Sequence, residues 1–190
     1  MHNLAPIYGR LGVAVLLVGT LCPRAEAQIE VDPDQQYLLL ATTRTGTMEE
    51  ELDAAALLGF RVVSGAPTSG DEMVFFLERA VEPPDTYRYM LLATSRTSTM
   101  QEELEAAAAD GFRFLSRTPL CKSRAFGGDE IVAVLERPPG GEQLYEYKLL
   151  ATSRTSTLQT EVSEAVAEGF AIVGLVSCGE HIVITERTVP

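Results

Sequence analysis

The chain has 190 residues, with 15 Lys and Arg against 27 Asp and Glu, giving a formal net charge of −12. Hydrophobic residues at 46% and charged residues at 22% are enough to build a core and exclude a disordered tail. An acidic chain without a clustered basic stripe is not expected to grip nucleic acid or an anionic membrane.

The first 27 residues read as a secretory signal peptide. Arg10 and the amino terminus give a positive start, Leu11 to Leu21 is an apolar run, and Pro23 breaks it before Ala25-Glu26-Ala27. The run is 11 residues long, against the roughly 20 of a membrane-spanning helix. Cys22 raises a lipoprotein alternative, but Leu21 stands where a small residue would precede a lipidated cysteine. The expected product is exported, periplasmic or extracellular after cleavage near Ala27. It keeps Cys121, Cys178 and His181 and has no membrane span. Two cysteines in an oxidising compartment suggest one disulfide, the alternative being two free thiols.

Beyond the leader, one unit is written three times. The copies open on YLLLATTRTGTM (from Tyr37), YMLLATSRTSTM (from Tyr89) and YKLLATSRTSTL (from Tyr147). Each continues through an alanine-rich stretch to Gly59-Phe60, Gly111-Phe112 or Gly169-Phe170, and closes on Glu78-Arg79, Glu136-Arg137 or Glu186-Arg187. The expected boundaries are 28–82, 87–137 and 145–190, with Pro/Gly-rich joints between them.

In chain order each unit predicts β-α-β-β. The Tyr-x-Leu-Leu-Ala-Thr stretch suits a strand covered on much of both faces. Met48, Leu52, Ala55 and Ala56 lie on one helical stripe, as do Met100, Leu104, Ala107 and Ala108, and Leu158, Val162, Ala165 and Val166. Thr47 with Glu50, and Thr99 with Glu102, fit a capping box, and the three glycines fit helix stops. Two strands follow as a hairpin, the first parallel to the opening strand if they share a sheet. A unit of this size cannot easily be stable alone. The expected fold is therefore α+β, three tandem β-α-β-β repeats packed together with helices covering sheets.

The Tyr-x-Tyr strand (Tyr87-Arg88-Tyr89, Tyr145-Glu146-Tyr147), short helix, Gly-aromatic pair and final strand ending in Arg resemble small bacterial domains of unknown function. Those domains commonly have Gly-Trp where this chain has Phe60, Phe112 and Phe170, and Gln35 replaces the outer tyrosine of the first unit. The resemblance implies the β-α-β-β order and no catalytic residues.

The Thr/Ser-Arg loop before each helix is the leading candidate site. Arg44, Thr45 and Thr47, Arg96, Thr97 and Thr99, and Arg154, Thr155 and Thr157 would surround helix starts, whose free amides favour carboxylate, sulfate or phosphate. Tyr87–Met100 and Tyr145–Leu158 match at 11 of 14 positions, while the second strands share almost nothing. The competing reading is a structural turn in which Thr and Ser cap the helix and the arginines pair with acidic neighbours. The strand-end glutamates read as a solvated edge, being roughly 20 Å from the acids that begin their strands. Arg79, Arg137 and Arg187 read as ion-pair or edge-protecting groups. Cys121 and Cys178 fall at nearly equivalent places in their hairpin turns, and with His181 make a thin ligand set for zinc.

No G-x-S-x-G, P-loop, dinucleotide or H-E-x-x-H motif is present, and nothing calls for a cofactor. The expected function is an exported non-enzymatic binding or interaction module whose partner is a small anion or an envelope protein. The alternatives are a purely structural part of an envelope assembly and an uncharacterised enzyme.

Overall fold

The computed structural model describes residues 29–80, 87–124, 127–140 and 143–189. The expected leader lies outside the described residues. The elements are β1 (Tyr37–Thr42), α1 (Thr45–Leu57), β2 (Phe60–Pro67), β3 (Met73–Arg79), β4 (Arg88–Thr94), α2 (Thr97–Ala109), β5 (Arg113–Phe114), β6 (Leu120–Ser123), β7 (Asp129–Arg137), β8 (Tyr145–Thr152), α3 (Thr155–Ala167), β9 (Ala171–Cys178) and β10 (Glu180–Thr188). The chain is α+β, with three small antiparallel sheets in the order β1-β3-β2, β4-β7-β5 and β8-β10-β9; β6 also pairs with β7. In each sheet the closing strand lies in the middle. The strands on either side of a helix therefore run the same way but do not touch.

Helix stops and starts have different fates. Gly59, Gly111 and Gly169 all have positive φ, 90°, 80° and 90°, where a side chain would be strained. The expected capping box does not form. The helices begin three residues earlier, with Arg44, Arg96 and Arg154 as N-caps and no side-chain cap bond. Instead Thr42, Thr94 and Thr152 accept the amides of those arginines through their hydroxyls at 3.3, 3.2 and 3.2 Å. This local turn fixes the chain before Thr47 or Thr99 could act as a cap.

The second strand of the middle sheet is interrupted between β5 and β6. Thr118, fully buried, fills the break. Its hydroxyl accepts the Val134 amide at 3.1 Å and donates to the Leu115 carbonyl at 2.7 Å, satisfying groups the ladder would otherwise have paired.

The cores lie between sheets rather than within them. Met48, Leu52, Ala55 and Ala56 of α1 and Phe60, Phe75 and Leu77 of the first sheet pack with Tyr89, Leu91, Val132 and Val134 of the second. Met100, Leu104, Ala107, Ala108 and Phe112 pack in the same way with Tyr147, Ile182 and Ile184 of the third. Each sheet thus has one face under its own helix and, in the second and third, the other face against the preceding segment.

Cys121 and Cys178 form a disulfide with Cα atoms 5.3 Å apart. They lie in β6 and at the end of β9, not in turns as expected, because the break at 115–119 and the length of β9 carry strand structure that far. The bridge ties the second segment to the third across a separation of 57 residues. On the chain-entropy model, replacing both cysteines by serine should lower unfolding free energy by about 4 kcal/mol, read from urea denaturation under non-reducing conditions. An unchanged midpoint would mean the bridge adds nothing.

Candidate functional site

The most developed polar constellation sits at the two junctions between segments. Arg61 on β2 lies opposite Glu78 in its own sheet, yet its guanidinium leaves that sheet. It grips Glu136 of the next with two bonds, Nε to Oε2 at 2.9 Å and Nη2 to Oε1 at 2.6 Å. The Tyr89 hydroxyl donates to Glu136 Oε2 at 3.0 Å and accepts the Val62 amide at 3.1 Å. The second junction repeats this. Arg113 holds Glu186 at 2.8 Å, the Tyr147 hydroxyl donates to Glu186 at 2.8 Å, and the Phe114 amide donates to Tyr147 at 2.8 Å. Bidentate charge-assisted bonds are among the strongest hydrogen bonds available to side chains.

The outer tyrosines complete each clamp. Arg61 lies 4.5 Å from the Tyr87 ring centre and Arg113 4.9 Å from that of Tyr145, within cation–π range. The clamped carboxylates are 3% and 6% exposed, so the expectation of solvated edges fails for Glu136 and Glu186. A second sheet layer covers their face, and strand alternation within one segment does not reveal that layer. Glu78 alone remains exposed.

Helices contribute a second contact at each junction. The Glu49 and Asp53 side chains, one turn apart on α1, accept the Leu91 and Tyr89 amides of β4 at 2.8 and 3.0 Å. Gln101 on α2 accepts the Leu149 amide at 2.7 Å and donates to the Tyr147 carbonyl at 2.9 Å. The open edges of β4 and β8 are thereby covered.

The strand-end arginines act within their own segments. Arg79, Arg137 and Arg187 lie over Phe60, Phe112 and Phe170 at 4.6, 4.9 and 4.6 Å. Each also donates to a carbonyl at the end of its helix, those of Leu58, Asp110 and Glu168. A cation there complements the helix C-terminus.

The loop candidates are not brought together. Arg44, Arg96 and Arg154 are exposed, each at the start of its own helix, and no ion pair joins them to the described residues. Thr45, Thr47, Thr97 and Thr99 are half-buried, whereas Thr155 and Thr157 are exposed. A hollow beside Thr97 and Ser98 is also lined by Glu161.

Ser177 Oγ lies 3.2 Å from His181 Nδ1, across the turn joining β9 and β10. Among the described residues no carboxylate bonds that imidazole. Cys121, Cys178 and Asp129 cluster within 4.8 Å, but the sulfurs are bonded to each other and only a thiolate ligates metal.

No protein-family model, curated protein or solved structure matches this chain, so a functional reading rests on the geometry of its junctions and ends.

Burial, then the charge of Glu136, pushes the Tyr89 hydroxyl far above the ordinary phenol value. Burial does the same to Tyr147, opposed by the Phe114 amide and reinforced by Glu186. The folded state therefore keeps two protons that the unfolded chain releases at pH about 10. Their stabilisation is complete below that pH and falls as pH rises beyond it. The double variant Tyr89→Phe/Tyr147→Phe should lose less stability above pH about 10 than the wild type. In urea titrations at neutral pH, Arg113→Ala should cost about 2–3 kcal/mol, because Glu186 is left buried without its half-exposed partner. Arg96→Ala should cost less than about 0.5 kcal/mol. Equal small effects from both arginines would contradict the clamp.

Proposed function

We propose that this is an exported, non-enzymatic interaction module, built from three copies of one β-α-β-β unit and working through the exposed ends of the stack. One observation carries this reading. Of the nine large hydrophobic residues exposed among the described residues, Tyr37, Leu39 and Phe76 lie on the first sheet, and Val166, Ile172 and Leu175 lie on the last helix and on β9, the strand that follows it. Apolar surface gathered in patches marks a contact site more than the same residues scattered would. The disulfide is in keeping with an oxidising compartment, and no helix among the described residues is long and apolar enough to cross a membrane. The resemblance to small bacterial domains supports the unit and adds no chemistry. The partner of the ends is a protein of the envelope or outside the cell.

A second reading is favoured by the exposed arginines that make no ion pair among the described residues. In it Arg44, Arg96 and Arg154 each bind a small anion at a helix start.

Two comparisons separate these. Cross-linked capture from exporting cells should recover a partner with wild type and lose it with Leu39→Lys/Phe76→Lys; equal recovery overturns the end-face reading. Sulfate or phosphate at a hundred times its dissociation constant should add about 2.7 kcal/mol to stability only if the loops bind anions. The triple Arg→Ala variant should then lose that gain, and an equal response in both would end the second reading.

A further inference from the structure

The two internal junctions specify what each end of the stack is shaped to meet. Inside the molecule, the outer face of one sheet seats on the helix and second strand of the segment before it. On the second sheet that outer face carries Tyr89, Leu91, Val134 and Glu136, all buried. The first sheet carries Tyr37, Leu39, Phe76 and Glu78 at the corresponding places, all exposed, with Tyr37 stacked on Phe76 at 5.4 Å. No side chain bonds the Tyr37 or Leu39 amide among the described residues, although helix side chains take those of Tyr89, Leu91 and Leu149.

The far end is the complementary half. Val62 and Phe114 are buried under the following sheet, whereas Ile172, which likewise stands two residues after the phenylalanine of Gly-Phe, is 54% exposed. Helices α1 and α2 each bury four residues; α3 buries Ala165 alone. Gln159 occupies on α3 the place that Gln101 occupies on α2, one residue past the first apolar position, and it is exposed. The surface that would cover β1 is therefore present on the same chain, at its other end.

We propose that the outer face of the first sheet docks a second copy of this chain, which presents α3 and β9. The contact is head-to-tail and continues the internal stacking. It rests on the end-face reading above and names the partner. Being heterologous, it extends from copy to copy unless it closes into a ring.

The sequence also sets its strength. Ala171 stands where Arg61 and Arg113 supply the guanidinium, so Glu78 meets no cation in the new junction. A carboxylate covered without its partner opposes association. The contact is accordingly weak and dependent on concentration, and two substitutions at exposed positions should strengthen it. Ala171→Arg provides the missing cation, and Glu78→Gln removes the charge.

Sedimentation equilibrium of the full 190-residue chain tests this. The weight-average mass of wild type should rise with concentration. Ala171→Arg and Glu78→Gln should each show the same rise at about tenfold lower concentration, which corresponds to 1.4 kcal/mol. Leu39→Lys added to each should restore the monomer mass. A constant monomer mass for both strengthened variants overturns the proposal, as does a rise that Leu39→Lys leaves intact. If both variants stay monomeric while capture from exporting cells still depends on Leu39, self-stacking fails and the end-face reading stands. If capture is also independent of Leu39, both fail.

Discussion

Two carboxylates buried between sheets organise the rest of this protein. Glu136 and Glu186 would each be costly to bury alone, because an ion loses its hydration and gains nothing in an apolar layer. Each is acceptable only with an arginine from the preceding segment and a tyrosine hydroxyl beside it. The same hydroxyl takes a backbone amide of the preceding segment, so one side chain satisfies groups on two sheets. The clamp fixes orientation, whereas the apolar residues around it supply most of the driving force.

The terminal segments depart from the pattern where the clamp has no counterpart. The first segment has Gln35 in place of the outer tyrosine and has nothing before it to clamp among the described residues. The last has Ala171 in place of the arginine and clamps no following sheet among the described residues. The third sheet also places Lys148 and Thr185 where the first has Leu38 and Leu77 on its inner face. Stacked proteins need ends more polar than their middles. Here the ends are only partly so, since Tyr37, Leu39, Ile172 and Leu175 remain exposed. That incomplete closure is what the functional proposal builds on.

Much of the fold was legible in the sequence because it is written in local periods. The stripes of α1 and α2, the glycine stops and the order of elements all follow from residues close together in the chain, whereas of the α3 stripe only Ala165 is buried and Val166 is exposed. The cysteine pair was legible as a suggestion, and the structure supplies the proximity that spacing could not. The clamp was not read, because Arg61 and Glu136 are 75 residues apart and their segments look alike. A trace of it was nevertheless present. An arginine follows Gly-Phe only in the two segments that another follows, and Tyr-x-Tyr opens only the two that another precedes. The helix starts were misread for a simpler reason. Thr47 and Thr99 matched a capping pattern, but Thr42 and Thr94 had already fixed the turn.

The central claim is that each clamped junction couples the two sheets that meet at it. Amide hydrogen exchange, read peptide by peptide on wild type and Glu186→Ala, tests it most directly. The account predicts that β8, α3 and β10 lose protection together in the variant, along with β5 across the junction, while β1, α1 and β3 keep theirs. Protection that is unchanged in β8 through β10, or lost only at the residues around position 186, would contradict it.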